Sequence, residues 1–167
     1  MVNVTFKGNP VTLVGEQISV GDDAPNFNVL TTGLEERTLA DYEGKIKLIS
    51  VVPSVDTGVC AVQTKRFNEE ADKLENVQVL TVSMDLPFAQ ARWCSAEGVE
   101  NLDMLSDHRE ASFGKNYGVL IEELRLLARS IFVVDGNNKV TYVEYVKEVG
   151  EHPNYDAVLD HIRNELL

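Results

Sequence analysis

The sequence lacks the residues and patterns that would assign it to several common classes of protein. Among its 167 residues there are two cysteines and three widely separated histidines, so no zinc site built from two cysteine pairs is expected. No apolar run approaches the roughly 20 residues that cross a membrane. The GxGxxG, P-loop and GxSxG sequences are also missing. A membrane-spanning protein, a zinc enzyme, a nucleotide-binding enzyme and a serine hydrolase are therefore poor interpretations.

Positive charge is scarce as well. The chain has 15 lysines and arginines against 27 acidic residues, a formal net charge of −12. Nucleic acids and anionic membrane surfaces bind basic patches, so we expect neither as a partner. The first residues alternate between polar and apolar and do not form the apolar block of a secretory signal. We expect a cytoplasmic location, where cysteines are more often catalytic or redox-sensing than permanently cross-linked.

Strand-like and helix-like segments alternate along the chain, and a hairpin pattern comes near its end. This order predicts an α/β fold in which helices flank a central mixed sheet. With 44% hydrophobic and 25% charged residues, the chain is expected to form one domain over residues 1–167. The strands are predicted near 27–31, 37–39, 45–52, 77–85 and 102–107. The helices are predicted after residue 57, over 86–98 and over 155–167. Two hairpins are predicted, one over 4–15 with its turn at Gly8, Asn9 and Pro10, and one over 129–146.

The most informative segment is PSVDTGVC, which runs from Pro53 to Cys60. An apolar strand precedes it and helical periodicity follows it, so either Asp56 or Thr57 is the expected N-cap and Cys60 falls in the first turn. Free N–H groups and the positive end of the helix dipole favour a thiolate at that place. Free cysteines are also among the most often buried residues, so this pattern by itself leaves a packing role open.

Three segments together resemble a known family: PSVDTGVC, SMDLPFAQARWC with the second cysteine, and LLARSIFVVD with its arginine. They are similar to the thiol peroxidase branch of the peroxiredoxins, in the type that has both reacting cysteines in one chain. The similarity covers essentially the whole chain. It implies a thioredoxin-like fold with an N-terminal hairpin, and a peroxidase that needs no cofactor and no metal. It also implies a homodimer and a preference for alkyl hydroperoxides.

The resemblance implies a role for five residues. Cys60 matches the peroxidatic cysteine, and Pro53 and Thr57 match its motif partners. Arg129 matches the active-site arginine and Cys94 the resolving cysteine, which would form an intrachain disulfide with Cys60. Without the resemblance, Arg129 is more simply a solvated arginine at a strand start, Thr57 a helix cap and Cys94 a packing residue.

The resemblance implies reduction of hydrogen peroxide and organic hydroperoxides, with thioredoxin or a similar dithiol protein as the reductant. A sulfenic acid on Cys60 would condense with Cys94. Because the two cysteines fall on separate predicted helices and a disulfide needs Cα atoms within about 6.8 Å, we also expect local unwinding on oxidation. A disulfide oxidoreductase and a redox sensor are the alternatives. The missing CxxC pair argues against the first, and the sequence leaves the second open.

Overall fold

A seven-stranded mixed sheet forms the centre of the computed structural model, which describes residues 3–71, 73–74 and 76–167. The strands are β1 (Val4–Phe6), β2 (Asn9–Val11), β3 (Leu13–Val14), β4 (Asn28–Thr31), β5 (Glu36–Thr38), β6 (Ile46–Val51), β7 (Val77–Ser83), β8 (Asp103–Ser106), β9 (Leu120–Ile121), β10 (Leu126–Leu127), β11 (Ser130–Val134) and β12 (Val140–Tyr145). The helices are α1 (Gly58–Ala71), α2 (Pro87–Glu97), α3 (Ser112–Asn116) and α4 (Tyr155–His161), which continues as a π-helical turn over Ile162–Leu166, and a 3₁₀ turn spans Leu39–Tyr42.

The central sheet has the order β12-β11-β6-β7-β8-β4-β5. Strands β6, β7 and β8 are parallel, and every other neighbouring pair in this sheet is antiparallel. The predicted α/β fold with a central mixed sheet is confirmed. None of the helices in the described ranges has the length and apolar character that a membrane crossing requires.

Strand β6 is buried along its whole length because each face of the sheet carries its own apolar layer. Ile49 belongs to the cluster that includes Leu80 of β7, whereas Leu48 belongs to the cluster that includes Phe67 of α1. An unbroken apolar run fits such a strand, since neither face can tolerate a solvated side chain. The sequence prediction of a doubly buried strand is therefore confirmed, and β6 ends two residues before Pro53.

The starts of the two longest helices also follow from sequence signals. Helix α1 begins at Gly58, and the Thr57 hydroxyl oxygen accepts a hydrogen bond from the Cys60 N–H at 3.4 Å. Cys60 thus lies in the first turn, as predicted. Helix α2 begins at Pro87, whose fixed φ suits a first helical position, and ends at Glu97, where Gly98 caps it with a positive φ of 69°.

The N-terminal hairpin is present, but its turn differs from the prediction, and it ends at Val11 because Leu13–Val14 pairs with β9. Phe6 pairs with Asn9, so Lys7 and Gly8 make a two-residue turn with φ of 51° and 81°. Two positive φ angles match a type I′ turn, whose twist suits antiparallel strands, and proline cannot adopt such angles. Asn9 and Pro10 therefore lie in strand β2. Residues 1 and 2 of the predicted domain lie outside the described residues.

A second, three-stranded sheet of the order β10-β9-β3 and helix α3 were not predicted from the sequence. Their segments are too short to show a period. The hairpin is fastened to the segment after β12, because Thr5 N–H donates to the Lys147 carbonyl at 2.7 Å and Val149 N–H donates to the Thr5 carbonyl at 2.9 Å. This attachment places the hairpin beside the residues described next.

Candidate functional site

A buried cysteine and a buried arginine meet between the sheet and the first turn of α1. Cys60 has no exposed surface and Arg129 is 2% exposed. The Arg129 Nη2 donates to Cys60 Sγ at 3.2 Å. Strands β11 and β6 pair so that Ser130 lies opposite Val51. The residue just before β11 is thereby brought beside the loop that leads from β6 to Cys60.

Each nitrogen of the guanidinium has an acceptor. Arg129 Nε donates to the Val149 carbonyl and Nη1 to Gln63 Oε1, both at 2.9 Å. Gln63 in turn donates to the Ser50 hydroxyl at 2.7 Å. Among the described residues no carboxylate pairs with Arg129, because all three acceptors are a carbonyl, an amide oxygen and sulfur. A buried guanidinium without an anionic partner is placed to stabilise negative charge that develops against it.

The Thr57 hydroxyl stands beside the same turn and is exposed. It donates to the Ser54 carbonyl at 3.3 Å and accepts from the Cys60 N–H at 3.4 Å. A hydroxyl has two lone pairs, so one acceptor position remains free. Thr57 can therefore accept a hydrogen bond from the O–H group of a molecule bound near the sulfur.

A cavity of about 210 Å³ opens at this place. One wall is the tip of the N-terminal hairpin, which is held there because Gly8 N–H and the Thr5 hydroxyl donate to Glu148 Oε1 at 2.8 and 3.0 Å. Backbone N–H groups of Gly150 and Gly8 hold the pKa of Glu148 below its ordinary value. The lining residues are Phe6, Lys7, Pro53, Thr57, Gly58, Val59, Arg129, Glu148, Val149 and Gly150.

The second cysteine lies in different surroundings. Cys94 is half-buried on α2 and packs in a small apolar cluster with Val55, Trp93, Val99 and Met104. Burial raises the pKa of the Cys94 thiol to about 11. Cys94 lines a separate cavity of about 490 Å³, and it is not among the residues that line the cavity next to Cys60.

The structure thus brings four of the five predicted site residues together. Pro53, Thr57 and Arg129 line one cavity, and Cys60 is bonded to two of them. Cys94 is the exception, since it packs in a separate apolar cluster and lines a different cavity. Within the described ranges no group of three or more histidine, cysteine, aspartate or glutamate side chains is placed to hold a metal ion.

Sequence reasoning missed the polar residues that hold the site. Gln63 and Ser50 are fully buried. Gln63 accepts a hydrogen bond from Arg129, and Ser50 holds Gln63 by accepting a hydrogen bond from its amide. Asp85 accepts from the Ser54 hydroxyl and the Val55 N–H, both at 2.8 Å. The available signal was weak: a lone serine in the apolar run of β6, a glutamine one helical turn after Cys60, and an aspartate two residues after the end of β7.

Comparisons with known proteins agree with this geometry. The redoxin family model matches residues 19–159. A thiol peroxidase of Oceanobacillus iheyensis is 65% identical over 97% of this chain and 99% of its own, and a thiol peroxidase of Bacillus subtilis is 61% identical over 96% of both chains. The crystal structure of a peroxiredoxin-like protein from Aquifex aeolicus superimposes with a TM-score of 0.92 at 44% identity, covering 98% of this chain and 97% of that one.

Both the sequence and the fold of these relatives match nearly the full chain, so the likeness includes the strands and helices that position Cys60 and Arg129. The predicted enzyme class is confirmed: the activity is thiol-dependent peroxide reduction. The chain therefore belongs to the redoxin family and, within it, to the thiol peroxidases, which are enzymes of the peroxiredoxin type.

Proposed function

We propose that Cys60 is the peroxidatic cysteine and that Arg129, Thr57 and Pro53 form its active site. The observation that supports this most directly is the contact of 3.2 Å between Arg129 Nη2 and Cys60 Sγ, in a buried setting where the described residues offer the guanidinium no carboxylate. A charge-assisted hydrogen bond and the first turn of α1 both stabilise the thiolate. Cys94 has neither, and burial raises its thiol pKa.

In the first step the Cys60 thiolate attacks the distal oxygen of the hydroperoxide. The sulfur–oxygen bond forms as the oxygen–oxygen bond breaks, and the leaving oxygen takes a proton and departs as water or an alcohol. Cys60 is oxidised to a sulfenic acid and the peroxide is reduced. Thr57 accepts the hydrogen bond from the substrate O–H, and Arg129 donates to the oxygens that gain charge. Positioning supplies most of the catalysis.

The cavity supports organic hydroperoxides as substrates beside hydrogen peroxide. Its volume of about 210 Å³ is several times the roughly 30 Å³ that one water molecule occupies in the liquid. The side chains of Phe6, Pro53 and Val59 give it an apolar lining. An alkyl or aryl group on the peroxide would bury its surface against them, which favours its binding.

Cys94 is proposed as the resolving cysteine. Its thiolate attacks the Cys60 sulfur, the S–O bond of the sulfenic acid breaks, and the hydroxyl leaves as water after taking a proton. Cys60 is held by Arg129 inside the protein, whereas Cys94 packs in the cluster around Trp93. Since the two thiols lie in separate surroundings, we propose that the two helices open locally before the intrachain disulfide forms.

The reductant and the assembly are also part of the proposal. An intrachain disulfide is re-reduced by thioredoxin or a similar dithiol protein through thiol–disulfide exchange. A homodimer is supported by three exposed apolar side chains on and before the cysteine-bearing helices, at Val62, Leu86 and Phe88, with exposed fractions of 51%, 52% and 68%.

We further propose one domain over residues 1–167, a cytoplasmic location, and no nucleic acid or membrane as a partner. The net charge of −12 supports the last of these.

A turnover assay tests this proposal. The protein at catalytic concentration is mixed with cumene hydroperoxide, thioredoxin, thioredoxin reductase and NADPH, and NADPH oxidation is followed. Many turnovers per chain are expected from the wild type and none from Cys60→Ser, because no other described thiol has a cationic neighbour. Mass spectrometry of the oxidised wild type should show the Cys60–Cys94 disulfide. Turnover by Cys60→Ser, or one oxidation per chain without turnover, would contradict the proposal.

A further inference from the structure

One carboxylate joins the Cys60 loop to the strand that leads into the Cys94 helix. Asp85 lies between β7 and α2, two residues before the helix begins. Its Oδ1 accepts from the Ser54 hydroxyl at 2.8 Å. Its Oδ2 accepts from the Val55 N–H at 2.8 Å and from the Ser83 hydroxyl at 2.7 Å. Three donors from two separate segments thus converge on one side chain.

On the Cys60 side, the bonds continue to the catalytic turn. Ser54, which Asp85 holds through its hydroxyl, accepts at its carbonyl from the Thr57 hydroxyl at 3.3 Å. The Thr57 oxygen then accepts from the Cys60 N–H at 3.4 Å. Because each bond fixes the orientation of the next, the carboxylate sets where the free lone pair of Thr57 points.

On the Cys94 side, the bonds reach α2. Gln90, one helical turn before Cys94, donates to the Ser83 hydroxyl at 3.0 Å, and that hydroxyl donates to Asp85. Val55 takes part in both regions, because its N–H is bonded to Asp85 and its side chain packs in the cluster that contains Cys94. The Asp85 carbonyl also accepts from the Ser106 hydroxyl. The segments on both sides of the carboxylate are therefore fixed to one point.

We propose that Asp85 is a positioning residue that holds both cysteine regions in their reduced arrangement and resists the opening that disulfide formation needs. This inference rests on the proposed roles of Cys60 and Cys94. The carboxylate touches neither the sulfur atoms nor the peroxide. It acts through Ser54 and Thr57 on one side, and through Ser83 and Gln90 on the other.

The two chemical steps should respond to Asp85 in opposite directions. Attack of the Cys60 thiolate on the peroxide needs an ordered Thr57, so this step slows when the carboxylate is removed. Attack of Cys94 on the sulfenic acid, with loss of water, needs the loop and helix to separate, so this step becomes faster. General weakening of the fold also eases opening, so the two rates are compared with those of a variant that loses a similarly bonded carboxylate elsewhere in the chain.

Rapid-mixing measurements on Asp85→Ala and Asp85→Asn separate the steps. Peroxide reduction is measured in the Cys94→Ser background with one equivalent of cumene hydroperoxide, and disulfide formation is followed in the chain with both cysteines by Trp93 fluorescence. For Asp85→Ala we expect peroxide reduction to slow about tenfold and disulfide formation to accelerate severalfold, as the loss of one charge-assisted bond allows. Asp85→Asn keeps the shape and exchanges one acceptor for a donor, so smaller changes of the same signs are expected.

Glu123→Ala is the matched control. Its carboxylate also accepts from a backbone N–H and a hydroxyl, both of Thr12, but it joins the β2–β3 turn to the β9–β10 turn. We expect both rates to stay within about twofold of the wild type, since these hydrogen bonds are exposed and reach only Thr12, which belongs to neither cysteine region. The inference is overturned if Glu123→Ala also slows peroxide reduction and accelerates disulfide formation.

The remaining outcomes separate this inference from the proposed function. A wild type that forms no Cys60–Cys94 disulfide overturns the proposed function and the role of Asp85 together. The role of Asp85 alone is overturned if the wild type forms the disulfide but the Asp85 variants do not show the opposite shifts. That is the case if both steps slow, if both rates are unchanged, or if only one rate changes. If Asp85→Ala does not fold, Asp85→Asn decides by the same criteria.

Discussion

The surroundings of Cys60 and Cys94 differ more than their burial suggests. Cys60 is fully buried, yet it lies in the first turn of a helix with an arginine nitrogen 3.2 Å from its sulfur. Cys94 is only half-buried, yet it lies in the second half of α2 among apolar side chains, and its thiol pKa is raised to about 11. The more deeply buried thiol is the one that has a cationic hydrogen-bond donor.

Burial alone does not decide whether a thiol has partners that stabilise negative charge. Removal from water penalises a thiolate, but donors and a cation in the same space can outweigh that penalty. At Cys60 the donors are preformed and rigid, since Gln63 and Val149 hold the guanidinium from two other sides. At Cys94 no such donor offsets burial among the described residues, and the pKa of its thiol is raised.

The strongest test of the contrast is Cys94→Ser. If only Cys60 reacts with peroxide, this variant should consume one equivalent of cumene hydroperoxide per chain and then stop with thioredoxin as the reductant, a complete loss of turnover. Remaining peroxide is measured by a colorimetric assay, and the sulfenic acid is trapped with dimedone and located by mass spectrometry. Normal turnover in this variant would show that Cys94 is not the resolving cysteine.

Arg129→Ala removes the main electrostatic difference between the two thiols. Peroxide reduction should fall by about 10² to 10³-fold, the loss seen when one donor to a developing oxyanion is removed. Stopped-flow oxidation and iodoacetamide alkylation of Cys60 at pH 7 report the peroxide step and the thiolate separately. Arg129→Lys keeps the charge without the planar fork, so it should recover part of the alkylation rate and less of the peroxide rate. Rates within about twofold of wild type in the alanine variant would contradict an active-site role.

The pH dependence of disulfide formation tests whether Cys94 reacts from its cluster or after leaving it. A thiol that stays buried has a pKa of about 11, so its attack should accelerate tenfold per pH unit up to that value. A thiol that has left the cluster regains the ordinary pKa of about 8.5, and the rate should level off above it. We expect levelling near pH 8.5 to 9, measured by Trp93 fluorescence after one equivalent of peroxide. A rate still rising steeply at pH 10 would show attack from the closed position.

Much of the fold was predictable because its signals are local. The apolar run of β6, the proline that starts α2 and the glycine that ends it act through neighbouring residues, and the structure has these elements where expected. The hairpin turn was placed wrongly because Gly8, Asn9 and Pro10 all favour turns. Only the pairing of Phe6 with Asn9 shows that the turn lies at Lys7 and Gly8. Strands β3, β9 and β10 have two residues each, too few for any periodic pattern.

The residues of the candidate site also fall into those that local sequence signals predict and those that only tertiary contacts reveal. The sequence by itself determined that a thiol stands in the first turn of a helix, with either Asp56 or Thr57 as its cap, because capping and helix dipoles depend on residues within one turn. Only the tertiary structure decided that Arg129 reaches that thiol, that Gln63 and Ser50 hold the guanidinium, and that Asp85 ties the two cysteine regions together. These contacts join segments far apart in the chain, and the register of β11 on β6 and the packing of helices on the sheet bring them together.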